Sequence, residues 1–281
     1  MKKIFDKFYR QANLSRFKAG LNEKGFPNYW INQFHDKHEP EEAPHIPYDI
    51  PSQRIHFTDS DTHIPFGPWR SVDHSHHAFF TECFIDEIAH KNSIDPYRFR
   101  FDLLSKKPRL QKVLKLVAEK SNWIKQLPEG QGRGSSIHQS FNTIVAQVAE
   151  VEVIDKKVKV KKITCVVDAG TAIKPDGLIA QMEGGIIYGL TAALYSEITI
   201  ENGAVQQGNF DSYPILRMSE SPEIKVHIIN SGKSLGGRGE PGTPPVAAAV
   251  ANAVYVAIGV RLRTYKANND KCHTNLVTKL Y

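Results

Sequence analysis

The sequence predicts an α+β fold with mixed sheets, packed helices and two lobes. Two adjacent stretches, VAQVAEVEV and VKVKKITCVV, alternate apolar and polar residues around Asp155-Lys156-Lys157, the pattern of a β-hairpin. Other stretches place apolar residues at helical spacing, among them Phe80, Phe84 and Ile88. Strands and helices do not alternate as regular βαβ units, which argues against a doubly wound parallel sheet.

The elements follow in chain order. Residues 36–51 are polar and proline-rich and read as an extended surface loop. Ala78–His90 is a helix. Asp95-Pro96 is an N-cap and first-turn pair opening a helix through Leu104. Leu110–Trp123 is amphipathic, with Val113, Leu114, Val117 and Ala118 inward. The texture changes at Pro128–Gly134, a lobe boundary, so residues 1–130 form a first lobe and residues 131–281 a second. Phe141–Ile154 and Val158–Ala169 form the hairpin, and Asp176–Leu194 an apolar helix. Asn202-Gly203 turns a second hairpin, Tyr195–Ile200 with Ala204–Phe210. Glu223–Ile229 is a strand, and a last helix starts near Thr243.

Composition narrows the function. The 281 residues are 41% hydrophobic and 23% charged, as in a globular protein of one large or two ordinary domains. The net charge is +6 and the pI about 9.0, but lysine and arginine are scattered and no stacking aromatics interleave with them. That speaks against nucleic-acid binding, and the pairs Lys156-Lys157 and Lys161-Lys162 suit a protected strand edge. No apolar run approaches transmembrane length, and the N-terminus lacks a secretory core. Cys83, Cys165 and Cys272 are too dispersed for a metal pair or a disulfide framework.

Four constellations could carry chemistry. Gly236-Gly237-Arg238-Gly239-Glu240-Pro241-Gly242-Thr243-Pro244-Pro245 sets one carboxylate in a stiff, glycine-rich loop ahead of the Ala-rich run Val246–Gly259. Such a loop suits a general base or a ligand contact, and it also suits a plain turn. Gln181-Met182-Glu183-Gly184-Gly185 puts an amide and a carboxylate on an apolar helix, either to meet a ligand edge or to tie down loops. In Phe66–His77, Arg70 could clamp an anionic organic cofactor. His74, His76 and His77 invite a metal reading, but no acidic ligand stands at an obvious spacing, and a surface or capping role fits them better. His138 and Ser140 lack the nucleophile elbow a hydrolase would need.

Several stretches together, FGPWRSVDHSHHAFFTECFIDEIAH, HQSFNTIVAQVAEVEV, VVDAGTAIKPDGLIAQMEGGIIYGL and GGRGEPGTPPVAAAVANAVYVAIGVRLR among them, resemble the C-terminal half of the molybdenum-binding subunit of the xanthine dehydrogenase/aldehyde oxidase family. The likeness runs in family order from near residue 8 to near residue 263 and leans toward the isoquinoline 1-oxidoreductase β-subunit branch. It implies a molybdopterin cytosine dinucleotide cofactor shared with a partner chain, with iron–sulfur clusters only on a partner subunit. It implies oxidation of an N-heterocycle or an aldehyde with water as oxygen source and Glu240 as base. Gln181, Gly237, Gly239, Arg70 and Ser71 would line the cofactor, with molybdenum held through the pterin and by no protein side chain. The family's cofactor-gripping Gly-Gly-Phe-Gly and Gly-Gln-Gly loops are not found, and Arg238 stands where a small apolar residue is expected. The expectation is therefore a split subunit, inactive alone, working in the cytoplasm, or in the periplasm if exported with a signal-bearing partner. A non-catalytic fragment or scaffold piece is the alternative.

Overall fold

The structure, a computed structural model, describes residues 8–60 and 64–264; Cys272 lies outside them. In chain order, β1 (Leu14–Leu21), β2 (Pro27–Asp36) and β3 (Ser52–Asp59) precede three helices, α1 (His74–Lys91), α2 (Pro96–Leu103) and α3 (Pro108–Lys120). Then come β4 (Gln131–Ser140), β5 (Thr143–Ile154), β6 (Lys157–Asp168) and α4 (Pro175–Leu194). The short β7 (Ile200–Glu201) and β8 (Ala204–Val205), β9 (Glu223–Ile228) and α5 (Pro244–Ile258) complete the order. The sheets are mixed: β1-β2-β3 and β4-β5-β6-β9 each contain one parallel pair, β2 with β3 and β6 with β9. This is the α+β class that the sequence predicts.

Both hairpins of the larger sheet close on two-residue turns with positive φ. Asp155 and Lys156 (49° and 62°) join β5 to β6, and Phe141 and Asn142 (51° and 60°) join β4 to β5. Paired positive φ values match the right-handed twist of the strands they connect. The sequence reading finds the first of these and misses β4, whose Gly132 and Gly134 look like a linker. Their reason is contact. A Cβ on Gly132 would stand 2.1 Å from the Ala253 carbonyl oxygen, and one on Gly134 2.2 Å from the Ala253 nitrogen. The backbone of α5 lies directly on the strand, so the glycines below and the alanines above form one interface.

Strand β5 is buried on both faces. Val145, Ala149 and Val151 join Met182 and Ile186 of α4 and Val250 of α5 in one apolar cluster. Ile144, Ala146 and Val148 join Phe84 of α1 and Val113, Leu114 and Val117 of α3 in another. Each fully buried side chain of this size contributes roughly 1.5–3 kcal/mol. A charged knot is buried against the second cluster, which contains Tyr48, Phe99 and Ile137. Arg100, wholly buried, donates to Glu82 Oε2 (2.8 Å) and to Asp86 Oδ1 (3.4 Å). Tyr48 donates to Glu82 Oε1 (2.5 Å), the Ile137 amide to Glu82 Oε2 (3.1 Å), and Arg261 to Asp86 Oδ2 (2.6 Å).

Three expectations need correction. The segment 36–51 is not simply a surface loop, because Pro40, Ala43, Tyr48 and Ile50 are buried and Tyr48 enters the charged knot. The second hairpin shrinks to two residues per strand; Asn202 (φ 50°) and Gly203 (φ 76°) keep the turn, but too little apolar surface flanks it to extend the ladder. And α4, at 20 residues, is by length and composition long enough to cross a bilayer. Its Leu178, Met182, Ile186 and Leu190 face is buried in the core, and interspersed glycines hide the run in the sequence.

Replacing Gly134 by Ala should cost at least about 1–3 kcal/mol, because strand and helix backbones must separate. Gly208→Ala, whose Cβ meets nothing within 4 Å, should be near neutral. Denaturant midpoints for the two variants check this, and equal midpoints would refute the contact.

Candidate active site

The loop ahead of α5 is held at both ends, at one by contacts too close for a Cβ and at the other by a side-chain hydrogen bond and a tight glycine–glycine approach. The Gly237 amide donates to the Phe141 carbonyl (2.7 Å), and Thr143 Oγ1 donates to the Gly237 carbonyl (2.6 Å). A Cβ on Gly236 would fall 2.2 Å from Thr143 Oγ1, so the loop is seated on the β4–β5 turn. At the other end Gln147 Nε2 donates to the Gly242 carbonyl (2.8 Å), and Gly185 of α4 faces Gly242, a Cβ there lying 3.3 Å from Gly242 Cα. The buried Thr243 returns its amide to the Glu240 carbonyl (2.9 Å), and Pro244-Pro245 then opens α5.

Glu240 is fixed from the side by the segment entering α1. Ser71 and Val72 adopt positive φ (74° and 41°), uncommon for residues with side chains and therefore maintained by their surroundings. This bend turns the Ser71 amide onto Glu240 Oε1 (2.9 Å) and the Ser71 hydroxyl onto the Glu240 carbonyl (2.7 Å). Arg70 Nε donates to the Gly239 carbonyl (2.9 Å), which its terminal nitrogen also meets, and that nitrogen donates to Gln181 Oε1 (3.2 Å). The structure thus brings Glu240, Gly239, Gln181, Arg70 and Ser71 into one cluster, with Gly237 on the adjoining turn.

Chemical capacity remains in this cluster. Glu240 is half-buried and its Oε2 has no hydrogen-bond partner among the described residues; Gln181, Gly237 and Gly239 are exposed. A Cβ on Gly239 would come no closer than 3.9 Å to Gln181 Oε1, so space over that amide is open. A guanidinium, an unspent amide and side-chain-free backbone fit a flat, anionic, hydrogen-bonding group such as a pterin. Sequence reasoning misses Tyr188, whose ring lies 5.7 Å from the Arg70 guanidinium and 4.7 Å from the Trp69 ring. The seven-residue step from Gln181 along α4, which keeps one helix face, is the signal for it. Arg238 is committed elsewhere, donating to the Thr171 carbonyl (2.8 Å).

The expected surface or capping role for the histidines fails: His74, His76 and His77 are all buried in the first turn of α1. His74 Nδ1 meets His138 Nε2 (2.9 Å), and His74 Nε2 meets Glu42 Oε1 (3.1 Å). Burial lowers the pKa of both imidazoles, His138 the further, despite the opposing pull of Glu42 on His74. At neutral pH they are therefore uncharged. His138 thus pairs with a histidine, which gives Ser140 no base.

Residues 85–222 match the molybdopterin cofactor-binding domain family. The chain belongs with the molybdopterin-binding subunits of the xanthine dehydrogenase/aldehyde oxidase family. It is 33% identical over 224 residues to isoquinoline 1-oxidoreductase subunit beta of Brevundimonas diminuta, 78% of this chain and 29% of that one. It is 36% identical over 219 residues to the membrane-bound aldehyde dehydrogenase [pyrroloquinoline-quinone] of Gluconacetobacter polyoxogenes, 69% of this chain and 28% of that one. The quinoline 2-oxidoreductase structure from Pseudomonas putida 86 superposes with a TM-score of 0.75 at 11% identity, over 86% of this chain and 59% of that one, a likeness of fold. The chain thus spans less than a third of these two curated relatives.

The strand leading toward the site ends in a clamp. Asp168, at the end of β6, accepts from Arg109 Nε (2.7 Å), Ser231 Oγ (2.7 Å) and the Gly170 amide (3.0 Å). Burial pushes its pKa up, but these donors together outweigh burial and hold the carboxyl below its usual value. A depressed carboxylate stabilises the fold above its unfolded pKa of about 3.9, and that contribution fades as pH falls through the folded value. Arg109→Gln should cost about 2 kcal/mol near pH 7, and the gap to wild type should narrow below about pH 4. Urea unfolding across pH measures it; a gap independent of pH would contradict the ion pair.

Proposed function

We propose that this chain supplies the base-bearing side of a molybdenum hydroxylase active site that oxidises an N-heterocycle or an aldehyde with water as oxygen source. The observation that carries the proposal is the Arg70–Ser71 hinge, which ties Gln181 and the Gly239 backbone together and grips one oxygen of Glu240. Arg70, Gln181, Gly237 and Gly239 would hold the cofactor, taken to be the cytosine dinucleotide form of molybdopterin. When bound, that group supplies a two-electron sink and the site of oxygen transfer.

The chain's own residues do the rest. The Ser71 amide orients Glu240 through Oε1 and leaves Oε2 to accept a proton, as a general base must. The Thr243 amide and the Ser71 hydroxyl fix the carbonyl of the same residue, so the carboxylate pivots on an anchored backbone. Arg70 spends its guanidinium on Gly239 and Gln181, which holds the Gln181 carbonyl oxygen inward and turns the amide nitrogen to a ligand. The Tyr188 ring flanks that guanidinium and is itself packed against Trp69. The open ledge calls for a second polypeptide surface to close it, and an iron–sulfur subunit would carry the electrons away.

The test is the assembled enzyme. Glu240→Gln should leave molybdenum content unchanged and lower kcat by about 10²–10⁴-fold. Arg70→Met should lower the molybdenum content itself. Full turnover by the Glu240→Gln enzyme would overturn the base assignment, whereas an assembled wild-type complex without molybdenum or turnover would favour the non-catalytic reading. Extraction of a quinone in place of a pterin would overturn the cofactor assignment.

A further inference from the structure

A second chemical site lies where β2 ends against the first turn of α1. Asp36 is fully buried, and its Oδ2 stands 3.2 Å from His76 Nε2 and 3.9 Å from His77 Nε2. One donor atom from each of the three residues falls within 4.8 Å of the others. His77 is 1% exposed, yet neither of its ring nitrogens has a hydrogen-bond partner among the described residues, nor has His76 Nδ1. An unmet buried donor or acceptor costs roughly 1–3 kcal/mol, and native structures rarely leave several in one place. Adjacent imidazoles aimed at one carboxylate, with nitrogens unspent, form the donor set of a cation site.

The geometry suits a small ion. Zinc bonds of about 2.0–2.2 Å in a tetrahedral shell put neighbouring ligand atoms about 3.3 Å apart, close to the Asp36–His76 separation, and the His77 contact, at 3.9 Å, would have to close by about 0.6 Å on binding. Asp36 Oδ1 is held by the Lys37 amide (2.7 Å), which orients the carboxylate and turns Oδ2 toward the two imidazoles. The His77 ring is steadied edge-on by Phe34, 4.8 Å away. A cleft of about 240 Å³ lined by Gln11, His38, Trp69, Asp73 and His76 reaches the cluster from outside. Two neutral imidazoles and one carboxylate are the donors of a zinc-type ion rather than of calcium or magnesium.

We propose that Asp36, His76 and His77 bind one zinc-type divalent cation, a structural staple between β2 and α1. It would anchor α1 a few residues after the Ser71–Val72 bend. It is independent of the cofactor and of turnover.

The purified 281-residue chain, stripped with a chelator, is titrated with Zn²⁺ by calorimetry, and its zinc form is examined by X-ray absorption. One equivalent should bind, with two imidazoles and one carboxylate around the metal. Asp36→Asn and His77→Gln should each weaken binding at least about 100-fold, while His227→Gln on β9 changes nothing. Wild-type binding no tighter than that of His77→Gln would overturn the proposal. Should the ligand variants not fold, the wild-type spectrum decides: a shell without two imidazoles overturns it.

Discussion

At Gly132 and Gly134 the backbone of α5 rests on the backbone of β4 with no side chain between them. Everything at the candidate active site depends on that contact. It sets the depth at which α5 lies on the sheet, and hence where Pro244-Pro245 and the loop before them emerge. The same device recurs at the Gly185–Gly242 approach, where α4 meets the loop. Two such contacts locate the Glu240 backbone from two sides, and the Arg70–Ser71 hinge supplies a third. A carboxylate placed by backbone packing has fewer ways to drift than one placed by long side chains.

The charged knot works against ordinary core logic. Arg100, Glu82 and Asp86 are stripped of water, and that cost is offset only because nearly every lone pair and N–H has a partner. Its members come from α1, α2, the segment before β3 and the stretch after α5. Specificity is a reasonable return for the cost: an apolar core tolerates several packings, whereas this array of bonds tolerates one.

Much of the candidate site's make-up was legible in the sequence because its residues stand in local motifs. Glycine, proline and a lone acid within ten residues declare the Glu240 loop, and the apolar helix with an embedded amide declares Gln181. The hairpin and the helices after residue 73 were legible for the same reason, through periodicity. What stayed hidden was long-range. Asp36 lies 40 residues from His76, so no spacing rule could offer it as a partner. The Arg109–Asp168 clamp and the Tyr48–Glu82 bond, 59 and 34 residues apart, are hidden in the same way. Strand β4 was hidden differently: its glycines serve a neighbour, and in isolation they read as a break.

The aromatic shelf beside Arg70 has an optical consequence. The chain's three tryptophans sit in unlike settings: Trp30 is sealed in the core, Trp123 donates to Asp95, and Trp69 lies half-buried between the Arg10 guanidinium (4.6 Å) and the Tyr188 ring. Only the last of these adjoins the ledge. A conjugated ring settling on that ledge, as the proposed function requires, would quench this indole, so its emission would report arrival without any added dye.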